Sequence, residues 1–462
     1  LKTNFAVINV PRGVQDPNLF VDDDGRVYLY EESSNLFPIH GIELDPDNYY
    51  IPIGEQVELF NLNPEKHGCE RFCQEHKSDT KPFIEGPWMM KHGDTYYLEY
   101  GAPGTQWNVY ADGVYTSKSP LGPFEYAPYN PISYKPGGFL KGSGHGSTVR
   151  DNQGNYWHFA TMAISVNYKF ERRIGMYPAG FEENGQMYVN TAFGDYPHYL
   201  PDTEVDNHKN RFTGWMLLSY QKPVETNSPL VESDLNVVDE SESGYMLNQI
   251  TEFDIEQIND EEIRSYWVSV ANDDSIYVSI DLEEEMNVNA VQINFQDFKS
   301  EIFGRPDTLR QQFVLKASRD GKSWEVIADY SRNQQDRPHC YIELAKPAEA
   351  RYIRYEHVYC TNKHLAISEL RVFGKGKGAP PVKPSNFSVQ RQSDRRNADL
   401  VWDADPSATG YVIYWGINEE YLNLSVLIYG QASYELRALN TDQSYYYQVE
   451  AFNENGISER IR

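Results

Sequence analysis

Ile84-Glu85-Gly86-Pro87-Trp88-Met89-Met90, then His92-Gly93-Asp94, then Tyr96-Tyr97-Leu98, places a polar residue before an apolar run, a tight glycine turn and a second run rich in aromatics. That pattern predicts a β-hairpin. The same plan stands upstream in Asp16-Pro17-Asn18-Leu19-Phe20-Val21, Asp22-Asp23-Asp24-Gly25 and Val27-Tyr28-Leu29-Tyr30. It stands again downstream in His145-Gly146-Ser147-Thr148-Val149, Asp151-Asn152-Gln153-Gly154 and Tyr156-Trp157-His158-Phe159. The units recur about every 60 to 70 residues. That is long for a two-stranded unit and suits a four-stranded propeller blade with long loops. The innermost strand of a blade begins near the central axis. The openers Asp16, Glu85 and His145 are therefore expected to meet in one pocket. A weaker fourth unit is read in Ile174-Gly175-Met176, a turn at Phe181–Gly185, and Met187-Tyr188-Val189. Propellers usually need at least four or five blades to close, so this reading expects one or two further blades on the N-terminal side.

Beyond the repeat, Lys222–Pro229 reads as a linker. A second region, 230–375, carries Asp260–Trp267, Val278–Leu282, Ser318–Trp324 and Ile367–Gly374, alternating strands between polar turns that predict a β-sandwich. Lys375-Gly376-Lys377-Gly378-Ala379-Pro380-Pro381 is a second linker, flexible and then stiff. A third region, 380–462, alternates at Leu400-Val401-Trp402 and Tyr411–Tyr414. There Leu439 is followed six residues later by Tyr445, as in a tyrosine corner. The fold class expected is all-β throughout, with 1–225 as the propeller portion.

The bulk properties agree. A chain of 462 residues has room for two to four domains, and its 35 tyrosines suit pleated surfaces or sugar stacking equally. A net charge of −27 argues against nucleic acid and anionic membranes as partners and suits a neutral substrate such as a sugar, or serves solubility alone. No run of about 18 apolar residues spans a membrane. The start, Leu1-Lys2-Thr3, is neither an initiator Met nor a signal peptide, so the chain reads as processed, trimmed or incomplete. Cys69 with Cys73, and Cys340 with Cys360, are the two pairs that could bridge.

On Asp16-Pro17 with its Asp-rich turn, Glu85-Gly86-Pro87, and Gly144-His145-Gly146-Ser147, roughly residues 1–220 resemble glycoside hydrolase family 43, a five-bladed β-propeller family. The second region resembles a discoidin (coagulation factor 5/8 type C) sandwich, often a carbohydrate-binding module, and the third a fibronectin type III domain. The first resemblance implies that Glu85 is the general acid. It implies that Asp16 adjusts the acid's pKa and helps place substrate, rather than serving as the base, which in the family sits upstream on the first blade. No candidate base precedes Asp16. The resemblance also implies that His145 lies near the propeller centre, close to a cation or its waters, and that an arginine orients sugar hydroxyls. Of Arg172 and Arg173, which point to opposite faces, Arg172 fits slightly better. A bacterial secreted, periplasmic or cell-surface location follows by the same resemblance. No cofactor is required, and a structural calcium is the one addition admitted.

A glycosidic bond needs an acid on the leaving oxygen and, in an inverting enzyme, a base that activates water. Trp88 beside Glu85, and Asp16 across the pocket, are expected to supply the desolvation and negative charge that keep an acid protonated. Plainer roles compete: Glu85 as a strand cap, Asp16 as a turn former, His145 as a structural histidine, the arginines as surface ion pairs. Trp88, Trp107 and Tyr110 are stacking candidates that also suit a core. Asp22-Asp23-Asp24-Gly25 lacks the spacing of a calcium loop and reads as a hairpin turn. Two functions follow. One is an inverting, exo-acting hydrolase on arabinofuranoside, xyloside or galactoside units of a polysaccharide. The other is a carbohydrate-binding or adhesive protein that keeps the scaffold without catalysis; a purely structural surface protein would not need to converge Asp, Glu and His.

Overall fold

The computed structural model describes residues 15–163, 172–206, 212–228, 254–269, 273–296, 309–362 and 364–461. Among these the regular secondary structure is almost wholly β-strand, with a few short 3-10 turns. The three hairpins of the repeat are each the start of a four-stranded antiparallel meander. The first runs through Asn18–Val21, Val27–Glu31, Ile39–Asp45 and Ile51–Phe60. The second uses Ile84–His92, Thr95–Ala102, Ala111–Ser117 and Glu125–Tyr126, and the third Lys141–Arg150, Tyr156–Ala163, Arg172–Phe181 and Met187–Val189. Gly25, Gly93 and Gly154 take the positive φ that their tight turns require. The stretch 174–189 is therefore not a fourth unit. It supplies the outer two strands of the third meander, where Thr161 faces Ile174 and Ala179 faces Val189. Its expected turn at Phe181–Gly185 is real, but both flanking strands find their partners in the preceding hairpin.

The first strands of the three meanders lie side by side. Ser33↔Glu85 joins the first to the second, and a parallel bridge, Ser143↔Ala111, joins the second to the third. Aromatic residues fill the space between the meanders: Phe60 stacks on Tyr115 at 3.8 Å between centroids, and Tyr28, Tyr30, Tyr96 and Tyr100 are buried around them.

The second region is an eight-stranded sheet dominated by two long bent strands, Tyr277–Phe295 and His339–Cys360. They enclose a core of Trp267, Ile280, Val291, Phe313, Ile353 and Leu370. Bulges between Asp281 and Met286 and between Val288 and Ala290 turn the strands around it. The expected linker at 222–229 is in part a strand of this sheet: Val224–Thr226 pairs with Val278–Ile280, and Met216–Leu217 pairs with Phe373–Gly374. Buried strand edges leave backbone groups in need of partners, and these two short segments satisfy them.

The third region is a two-layer sandwich. Ser388–Arg391, Ala398–Val401 and Ser433–Leu436 form one sheet. Gly410–Gly416, Leu424–Tyr429, Tyr446–Asn453 and Gly456–Ile457 form the other. The Tyr445 hydroxyl accepts the Asn440 amide at 3.0 Å, pinning the loop before the Tyr446 strand. One face of this sandwich is buried against the first region: Trp415, Val426 and Leu439 share a core with Cys69, Phe72, Trp107 and Tyr134. All four cysteines are free thiols, so neither expected bridge forms. Cys69 instead meets the Tyr126 hydroxyl, and the Cys360 thiol donates to the Asn362 carbonyl.

At the junction of the regions, Arg371 is fully buried. Its guanidinium makes a bidentate pair with Glu261 at 2.7 and 3.0 Å and donates to the Asp195 carbonyl at 2.6 Å. Tyr429 of the third region donates to the same Glu261. Burial and the charge of Glu261 push the neighbouring Glu369 well above the usual carboxylate range. Removing one partner of a buried pair typically costs about 3–5 kcal/mol, because the other charge is stranded. Arg371→Met should lower the unfolding free energy by that order, read as a drop in the denaturant midpoint at unchanged slope, and adding Glu261→Leu should restore part of it. An unchanged midpoint in Arg371→Met would mean the pair carries no structural weight.

Candidate active site

The three openers meet as expected. A donor atom from each of Asp16, Glu85 and His145 lies within 4.8 Å of those of the other two, and His145 Nε2 is 3.9 Å from Asp16 Oδ2. All three are half-buried. Asp16 and His145 hold left-handed backbone, with φ of 47° and 49°. Such conformations are uncommon outside glycine and gather at functional sites. The strands also bulge here, with register shifts between Glu85 and Trp88 and between Gly144 and Ser147. Bulges re-aim side chains, and these turn Glu85 and His145 toward Asp16.

Both oxygens of Glu85 are engaged. The Tyr110 hydroxyl donates to Oε1 at 2.6 Å and the Ser33 hydroxyl to Oε2 at 3.2 Å. Together they fix the plane of the carboxyl group. Asp16 Oδ2 is buried and has no hydrogen-bond partner among the described residues. Gly86 lies at φ +61°, and a Cβ there would stand 2.5 Å from the His145 ring. The glycine after Glu85 is thus what lets the imidazole pack over the strand.

Beneath His145 lies a second set of charges. His158 is completely buried between Asp112, at 2.9 Å from Nε2, and Glu99, at 3.3 Å from Nδ1. Asp112 also accepts the Gly146 amide at 2.9 Å, and Glu99 accepts the Thr148 hydroxyl at 3.0 Å. These carboxylates therefore hold the strand that carries His145. Gly146 has no room for a side chain, since its Cβ would meet His158 Nε2 at 2.4 Å. Burial alone would lower the His158 pKa, but the hydrogen bonds and charges of Asp112 and Glu99 outweigh it and push it up to about 9. Desolvation is the largest influence on Glu99, whose pKa is raised.

The remaining candidates fall in different places. Trp88 is half-buried, and its indole N–H donates to the Thr148 carbonyl at 2.9 Å, bracing the second meander against the third. Trp107 is 1% exposed and packs edge-on to Phe72 beneath the third region. It is a core residue, not a platform for a sugar, because the sandwich covers it. Tyr110 is likewise buried and acts through its hydroxyl on Glu85. The Arg173 backbone pairs with Met162 and its side chain is half-buried, while the Arg172 side chain lies outside the described residues. Asp22–Asp24 form the hairpin turn, and the Asp22 carboxylate accepts from Lys91 at 2.7 Å and Tyr96 at 2.5 Å.

A calcium ion among the openers fits poorly. Calcium takes six to eight oxygen ligands. Here three side chains converge, each offering one ligand atom, and one of those is an imidazole nitrogen.

Residues 6–187 match the model for glycosyl hydrolases family 43, and residues 240–370 match the F5/8 type C domain. The chain thus carries a domain of each kind. It is 32% identical over 154 residues to a xylan 1,3-beta-xylosidase of Vibrio sp., covering 31% of this chain and 25% of that one. It is 30% identical over 113 residues to a beta-D-galactofuranosidase of Aspergillus niger, covering 24% and 27%. A third match is a non-reducing end alpha-L-arabinofuranosidase of Bacteroides ovatus, 30% identical over 107 residues, covering 22% and 20%. The chain spans about a quarter of the length of these curated relatives. A solved glycoside hydrolase aligns over 78% of this chain and 70% of its own at 21% identity, with a TM-score of 0.40.

Tyr110, expected as a stacking ring, serves Glu85 through its hydroxyl instead, and sequence reasoning missed Ser33, Glu99, Asp112 and His158. Of these only His158, in the second strand of a repeat, carried a local signal, and it read as an ordinary strand position. With its folded pKa raised above the unfolded 6.5, protonated His158 contributes stability that is full below pH 6.5 and lost as pH rises through about 9. The melting temperature should fall over that interval, and His158→Gln should flatten the fall. An identical pH profile in the variant would remove the charge from His158.

Proposed function

We propose that the chain is a glycoside hydrolase acting on a polysaccharide, with the three meanders as blades of a five-bladed propeller and Glu85 as general acid. The observation that carries this is the convergence of Asp16, Glu85 and His145 from three separate repeats, within a segment that matches a glycosidase family. Glu85 would protonate the leaving glycosidic oxygen. Tyr110 and Ser33 would keep its carboxyl group pointed at that oxygen.

Asp16 fits the role of tuning and placement better than that of base. An inverting enzyme separates its two carboxyl groups by roughly 6.5–9.5 Å to admit water. The Asp16 and Glu85 ligand atoms lie within 4.8 Å of each other, too close for a water molecule to be activated between them. An inverting, exo-acting reaction on arabinofuranoside, xyloside or galactoside units accords with the relatives, whose names span xylose, galactofuranose and arabinofuranose. The second region is read as discoidin-like. The third is read as fibronectin type III, on its three-plus-four-stranded layers and the Tyr445 hydrogen bond. A secreted, periplasmic or cell-surface location goes with a polymer that does not cross membranes.

The short Asp16–Glu85 separation also favours a second reading, a carbohydrate-binding protein that no longer hydrolyses, because it leaves the base unassigned. A screen of 4-nitrophenyl glycosides decides between them. Native protein should release nitrophenol from at least one furanoside or pyranoside, and Glu85→Gln should lose about 10²–10⁴-fold in kcat on a substrate with a poor leaving group. Equal activity in both proteins would reject Glu85 as the acid. Inactivity of both, with polysaccharide still bound, would establish the second reading.

A further inference from the structure

Between the first region and the third lies a cleft of about 800 Å³, within the size range of ligand sites. One wall is Glu65, Asp79, Lys81 and Pro82, and the facing wall is Arg395, Arg396 and Thr441. We propose that this cleft is a subsite for the uncleaved part of a neutral polysaccharide chain whose reacting sugar sits at Glu85. The proposal rests on the glycosidase reading.

Pro82 lines the cleft and stands three residues before Glu85. Three residues of chain span at most about 11 Å, so the wall of the cleft leads directly into the strand that presents the acid. A polymer reaching Glu85 from this side would lie along it.

The cleft is also rigid. The two walls are tied to each other rather than merely adjacent. Arg396 donates to the Pro64 carbonyl at 2.8 Å and pairs with Asp394 at 2.7 Å. The Thr441 amide donates to the Lys66 carbonyl at 2.9 Å, and the Gly68 amide to the Leu439 carbonyl at 3.0 Å. The third region is thereby fixed as a wall of a preformed site, which spares a ligand the cost of ordering it.

The lining sets Lys81, Arg395 and Arg396 against Glu65, Asp79 and Asp394, so its formal charges cancel in a chain of net charge −27. Lys81 and Arg395 are exposed and make no ion pair among the described residues; Arg395 donates only to the Thr441 carbonyl at 2.9 Å. Leu62, Pro64 and Pro82 add apolar surface. A hydroxyl both donates and accepts, so a chain of neutral sugars meets partners of both kinds. A polyanion or polycation would meet its own sign on each wall.

The test uses the full chain and the double variant Lys81→Ala/Arg395→Ala, which removes two exposed tips and no ion pair. Kinetics are compared on the 4-nitrophenyl glycoside the native protein cleaves and on a soluble polysaccharide bearing the same sugar. The expected result is a KM for the polymer raised at least fivefold, with kcat and the aryl-glycoside constants within twofold of native. Equal shifts on both substrates, or no shift on the polymer, would overturn the cleft assignment while leaving Glu85 intact. If native protein cleaves no glycoside, the glycosidase reading fails separately. Affinity electrophoresis in gels containing arabinoxylan and arabinogalactan then decides the cleft: retardation lost in the variant supports it, and unchanged retardation or none refutes it.

Discussion

A single buried guanidinium, that of Arg371, sets the terms on which the three regions coexist. An isolated charge in a protein interior costs several kcal/mol unless it is paired and hydrogen-bonded. Arg371 meets that demand with partners from more than one region: Glu261 and Gln292 from its own, and the Asp195 carbonyl from the first. Tyr429 of the third then completes Glu261. Phe139 and Phe373 lie against the guanidinium at 4.5 and 4.7 Å. Lys135 stands 3.2 Å from Asp195 and offsets its charge. No one region satisfies this cluster alone, so each is held in register by the electrostatic needs of the others.

The apolar contacts follow the same logic. The face of the first region formed by Phe72, Trp107 and Tyr134 would lie open to water without the third sandwich, which closes over it with Trp415 and Val426. The site benefits indirectly. Tyr110 follows Trp107 by three residues, and the burial of the indole under the sandwich anchors the segment from which the Tyr110 hydroxyl reaches Glu85. On the opposite side Glu99, Asp112 and His158 fix the strand of His145 from below. The openers are thus clamped between a hydrophobic buttress and a buried ionic one.

Much of this was legible in the sequence where the cause was local. Alternation and glycine turns marked the hairpins, and their common plan placed Asp16, Glu85 and His145 at equivalent positions. What escaped depended on long-range packing. The outer strands of a meander have no signature of their own, so 174–189 read as a new unit. Met216–Leu217 and Val224–Thr226 are too short for periodicity and become strands only because a sheet edge awaits them. Trp107 looked like a sugar platform because nothing in its neighbourhood announces a domain that begins more than 270 residues later. In Tyr156-Trp157-His158-Phe159, two charged partners from other strands decide that the histidine faces inward.

The shared core of the first and third regions bears on how such a chain can change over time. Modules joined as beads can be gained, lost or exchanged at their linkers without consequence for their neighbours. Here Gly137 leaves no room for a side chain against the Leu427 carbonyl, where a Cβ would stand at 2.4 Å, and Gly68 is similarly closed off by Arg437 and Leu439. A substitute sandwich would have to reproduce the backbone path at those points and supply the hydroxyl of Tyr429. The third region is a part fitted to its host rather than a portable cassette, and inheritance as a unit with the first is the expected evolutionary signature.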